Sequence, residues 1–119
     1  MRYVIFCYHC EATVAAWAPE QEAAVLEQRA VVRDRLSARG KLGPVVRLMP
    51  TTTATTVRGG AEPLVLDGPF AETKEQLLGF YVVDCATLEE AIDTGRQLVG
   101  QSGAMEVRPI RSFSPGAIG

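Results

Sequence analysis

The sequence is poor in the features that most quickly reveal a function. Its 119 residues hold one histidine, one tryptophan and three cysteines, with no marked excess of either charge. Twelve Lys and Arg against fourteen Asp and Glu leave a formal charge of -2, so nothing draws the chain globally to a phosphate backbone or an anionic lipid surface. No nucleic acid and no membrane is therefore expected among its partners. The apolar run nearest the N-terminus reaches only from Tyr3 to Tyr8 behind Arg2, too short for a signal-peptide core and far below the roughly 20 residues that span a bilayer. The expectation is a cytoplasmic chain. An odd number of cysteines without an export signal reads as reduced thiols, not a disulfide framework. Neither Gly-x-x-x-x-Gly-Lys nor Gly-x-Gly-x-x-Gly accompanies Gly59-Gly60, which is a turn and not a phosphate loop.

What is present describes one soluble domain. At 47% hydrophobic and 22% charged residues the chain is too apolar for intrinsic disorder, and its length should bury roughly two-thirds of the unfolded surface. Residues 1–111 carry the periodic patterns, while 112–119, rich in Gly, Pro and Ser, read as a flexible tail. Tyr3 to Tyr8 is apolar on both faces and predicts a central strand. Pro19 opens a helix that should run to Arg39, with Glu20 and Glu22 at its positive end and Gly40 closing it. Its apolar stripe is Val25, Val32 and Leu36 with Leu26 beside it, yet Arg29 falls within that stripe, either snorkelling over the core edge or pairing with a carboxylate. Val45 to Leu48, Thr55 to Arg58 and Leu64 to Leu66 follow as short extended segments, the last two joined across Gly59-Gly60. Leu78 to Asp84 is a second central strand. Thr87-Leu88-Glu89-Glu90 is a capping box before a helix with Leu88, Ala91, Ile92, Gly95 and Val99 on one face. Met105 to Ile110 closes the pattern as a strand whose Pro109 suits a sheet edge.

Two strand-helix-strand units with an inserted hairpin give a ferredoxin-like α+β arrangement. Both central strands are apolar on both faces, and helices cover one face only, so a second copy is expected to cover the other and form a homodimer. The two central strands are expected to lie side by side and parallel, which would gather His9, Cys10, Glu11, Asp84 and Cys85 at one end of the sheet.

Several residues could carry chemistry. His9 is the one side chain of a type that titrates near neutrality, and so the first candidate for proton transfer. Asp67 precedes Gly68-Pro69, which frees and then locks the backbone, so its carboxylate is either a stiff general base or a turn-former. Cys7 and Cys10 have formal C-x-x-C spacing, but the predicted helix starts too late to depress a thiol and Cys7 would point into the sheet, so no metal is assigned; convergence of His9, Cys10 and Cys85 at one sheet end would leave a metal or redox pair open. Lys74 or Arg58 could meet an anionic ligand in a cleft walled by Tyr8, Phe70 and Tyr81; otherwise Glu72, Lys74 and Glu75 form a solvated turn with one or two ion pairs. Glu11 lies at the same sheet end as His9. Trp17 reads as a plug over the helix that follows.

Taken together, Arg2-Tyr3, the Thr53-Ala54-Thr55-Thr56-Val57-Arg58 segment, Asp67-Gly68-Pro69-Phe70, Glu72, Lys74-Glu75, Gly79-Phe80 and Glu106-Val107-Arg108-Pro109 resemble the DGPF branch of the YCII-related family. The resemblance implies a dimeric α+β barrel of ferredoxin-like subunits. It also implies a His and an Asp together in a cleft, for which His9 and Asp67 are the candidates here, but no settled activity; the reading taken from the residues is acid/base chemistry of a hydrolase or isomerase kind on a small molecule, with no cofactor. Some members look like companions of extracytoplasmic-function sigma factors, so a regulatory, non-catalytic module is the alternative.

Overall fold

The computed structural model describes residues 1–119. Six strands and three helices run in the order β1 (Arg2–His9), α1 (Glu11–Ala15), α2 (Pro19–Ala38), β2 (Leu42–Arg47), β3 (Thr55–Arg58), β4 (Leu64–Asp67), β5 (Gln76–Asp84), α3 (Leu88–Val99) and β6 (Ala104–Pro109). A short 3₁₀ turn at Thr51–Thr53 precedes β3. Four strands form one antiparallel sheet in the order β2-β5-β1-β6, and β3 pairs with β4 alone. This α+β architecture is compatible with a ferredoxin-like arrangement, and the hairpin is inserted as the sequence predicts. No helix is long and apolar enough to cross a membrane.

β1 and β5 are the central strands, but they are antiparallel: Arg2 lies opposite Asp84 and His9 opposite Gln76. The parallel pairing expected from sequence is therefore overturned. The cause is the crossover through α2, which returns the chain so that β2 runs the same way as β1, one strand position away. β5 fills the slot between them and opposes both. Asp84 and Cys85 consequently sit at the far end of the sheet from His9, Cys10 and Glu11.

The core lies between the sheet and the helices. Tyr3, Ile5, Tyr81 and Val83 from the central strands meet Val32 and Leu36 of α2 and Ala91 and Leu98 of α3, with Met105 and Val107 packed against them. Gly79 permits the close approach of β2, since a side chain there would strike the Val46 carbonyl. On the opposite face Phe6 meets Tyr8 and Phe80 with ring centroids 6.4 and 6.3 Å apart, and no helix covers these rings. α3 begins at Thr87, whose side chain accepts from Glu90 N–H. The Glu90 carboxylate closes the motif one residue earlier than a capping box prescribes, on Ala86 N–H at 3.0 Å, and also pairs with Lys41.

Candidate functional site

Only the C-terminal half of α2 buries side chains, Val32 and Leu36; its N-terminal half stands off the sheet. The space left there is a cavity of about 190 Å³ walled by α1, α2, β1, β2 and β5. Its walls are largely apolar, with Val25 and Leu26 on the helix facing Val45 and Tyr81 on the sheet. Strand alternation puts Cys7 and His9 on this inner face beside Tyr81 of β5. Trp17, between α1 and α2, lines the same space and meets the His9 ring edge to face at 5.4 Å. It is a cavity wall as well as a covering for the start of α2.

The polar groups of this cavity are incompletely satisfied. His9 is only 6% exposed, and its Nε2 lies 2.7 Å from Ser102 Oγ, but buried Nδ1 has no partner. Arg29 donates from one terminal nitrogen to the Cys7 sulfur at 3.6 Å, a weak acceptor, and its buried Nε has no partner. The stripe-breaking Arg29 therefore pairs with no carboxylate; its guanidinium is turned into the cavity. Arg33 and Arg47 line the same space, and only Arg47 has a carboxylate, Glu22 at 3.7 Å. Burial pushes the Cys7 thiol up despite the neighbouring Arg29, and burial likewise raises the Tyr81 phenol, so both stay protonated at neutral pH. Burial also raises Cys85, whereas hydrogen bonds from Thr13 at the start of α1 lower Cys10.

The remaining sequence candidates are dispersed. Asp67 ends β4 on the exposed hairpin, outside the cavity that His9 lines, and its carboxylate accepts no hydrogen bond from the protein. The backbone after it is stiff as expected: Gly68 has φ +105°, its N–H reaches the Ala54 carbonyl at 2.8 Å, and its own carbonyl accepts from Thr56 Oγ1 at 2.8 Å. Arg58, at the end of β3, lies over the ring of Phe70 in the loop after β4, 5.2 Å from its centroid. Tyr8 is on the uncovered sheet face and Tyr81 on the inner one, so Tyr8, Phe70 and Tyr81 do not wall one cleft within the chain. Glu11 is occupied structurally: its carboxylate accepts from Thr51 N–H and Oγ1, both at 3.1 Å, while its own N–H donates to Gln76. Glu72, Lys74 and Glu75 form an exposed turn with no ion pair, where one or two were expected. Cys10 and Cys85 are at opposite sheet ends, and no group of three or more His, Cys, Asp or Glu is placed to hold a metal ion.

Arg29 was visible in the sequence as a cation in an apolar stripe, though not as a cavity group. Ser102 gave no signal, because its relation to His9 depends on the tertiary approach of the α3–β6 turn to the end of β1.

An antiparallel α+β sheet with two helices on one face and a mostly apolar, partly open cavity beneath the longer one defines a small α+β protein with one candidate site. The chain belongs to the YCII-related domain family, whose model matches residues 1–114. It is 48% identical over 122 residues to an uncharacterised protein of Rhizobium meliloti (strain 1021), an alignment covering 99% of this chain and 98% of that one.

Proposed function

We propose that the protein binds a small molecule in the cavity between α2 and the sheet, acting as a homodimer. One observation carries the reading: His9 and Arg29, each with a buried polar atom left without a partner (Nδ1 and Nε), line the same largely apolar space. Buried polar groups normally find hydrogen bonds, and leaving one unmade costs about 1–3 kcal/mol, so a ligand that satisfies both would recover that cost. The volume is below the roughly 300–1,000 Å³ of sites for drug-sized ligands, which favours a small occupant. His9 is the group able to exchange a proton with it, and the chemistry open to the site is acid/base help in a hydrolysis or isomerisation. Asp67 is outside this cavity, so within one chain that chemistry rests on His9. The Asp67 to Phe70 segment supports a place in the DGPF branch of the family.

The test is thermal denaturation with a panel of small aliphatic and aromatic fragments, on the protein and on Val25→Trp, which fills the cavity from α2. Fragments should raise the melting temperature of the protein and leave the variant unmoved. No shift with any fragment, or equal shifts in a folded Val25→Trp protein, would refute the reading.

A second reading, a non-catalytic interaction module such as a sigma-factor companion, is favoured by the exposed apolar hairpin β3–β4, where Leu64 is 60% and Val65 68% exposed. It requires binding to a different polypeptide, and sedimentation of a mixture with a candidate sigma factor tests it directly.

A further inference from the structure

We propose that the cavity takes a small organic carboxylate, with its oxygens accepting from the Arg29 guanidinium and His9 Nδ1 and its apolar body lying along Val25, Leu26 and Val45. The inference rests on the cavity being a ligand site and adds the class of ligand.

Three features select an anion. Arg29, Arg33 and Arg47 line the space against one carboxylate, Glu22, which is committed to Arg47, so the cavity holds an uncompensated positive charge. Cys7 and Tyr81 do not offset it, because burial keeps both protonated. Arg29 meets a sulfur and the Tyr81 hydroxyl but no carboxylate, whereas the planar fork of a guanidinium is best met by the paired oxygens of one. Two further features select the kind of anion. The apolar walls require a hydrocarbon body, and the volume excludes a nucleotide. A carboxylate also settles the state of His9: an acceptor at Nδ1 holds the proton there, leaving Nε2 to accept from Ser102 Oγ–H across 2.7 Å.

Benzoate and hexanoate, each set against its own amide, test this with two readouts. The first is the melting temperature. The second is the ¹⁵N spectrum of histidine-labelled protein, in which the single imidazole leaves no ambiguity. The acids should raise the melting temperature by several degrees near saturation and move the His9 Nδ1 resonance, and the amides should bind at least about tenfold more weakly. Arg29→Met keeps the hydrophobic stem and should abolish the preference for acids. If that variant does not fold, Arg29→Lys, which keeps charge without the planar fork, should weaken acid binding by about tenfold or more. Amides binding as tightly as acids, or acids binding undiminished to a folded Arg29 variant, would overturn the carboxylate assignment and leave the cavity a ligand site. Absence of binding by acids and amides alike, with fragments of other chemistry still shifting the protein, would overturn it as well. Silence across all fragments would remove both readings.

Discussion

A Cβ built on Gly103 would lie 2.7 Å from the Tyr8 carbonyl oxygen and 2.8 Å from His9 Cδ2, and the residue has φ +84°. The turn that carries Ser102 can press on the end of β1 only because position 103 has no side chain, and this pressure helps bury His9. Gly100, in the same turn with φ +68°, has open space around it. The pair separates two effects. Gly100→Ala should cost only the backbone penalty of about 1–3 kcal/mol, whereas Gly103→Ala adds about 1–3 kcal/mol of steric displacement of the Tyr8 backbone and the His9 ring to its own backbone penalty. Urea denaturation of the two variants measures the difference, and equal losses would mean that packing against His9 contributes nothing at this turn.

The start of α3 shows a helix cap tied to the sheet. Glu90 accepts from Ala86 N–H while its carboxylate pairs with Lys41, the residue before β2, so one side chain joins the helix to the edge strand. The Lys41 hydrogen bond, then the Ala86 N–H, hold the Glu90 carboxyl below its ordinary value. A group whose folded value is depressed contributes stability above its unfolded value, about 4.3 for Glu, and loses it as pH falls through the folded value. The melting temperature of the protein should therefore exceed that of Glu90→Gln at pH 6–7, with the gap closing below about pH 4. A gap that stayed constant from pH 7 to 3 would show that the carboxylate charge is not what matters.

The same helix shows what a sequence can convey. Thr87 and Glu90 announced the start of α3 through chemistry local to four residues, and Pro19 did the same for α2; the central strands announced themselves by composition. α1 was missed, since its one turn is secured by distant partners, Glu11 on Thr51 and Gln76 on Glu11, and not by a cap of its own. The site was legible in part: His9 was singled out and Arg29 marked as anomalous, because both break a local pattern. Their meeting under α2 was not legible, nor was the antiparallel direction of β5. Both follow from the path of the crossover, which periodicity does not encode.

At the scale of the whole molecule the chain is extended: its radius of gyration is 16.0 Å, where a compact chain of this length would have about 13.5 Å, and it measures 46 × 38 × 27 Å. The β3–β4 hairpin pairs only with itself and exposes Val57, Leu64, Val65 and Leu66. The sheet face bearing Phe6, Tyr8 and Phe80 likewise lacks a covering layer. Two apolar surfaces on so small a domain favour association, and a second copy supplies a matching pair in one symmetric step. Sedimentation should give a species of twice 12.8 kDa. Phe6→Glu, which places a charge at the centre of the sheet face, should shift it to the single mass. Because association stabilises by mass action, the melting temperature of the unmodified protein should also rise with its concentration. That second measurement holds even if Phe6→Glu fails to fold. A single 12.8 kDa species with a melting temperature independent of concentration would mean that the chain tolerates both apolar surfaces in water and that any ligand is held by one subunit alone.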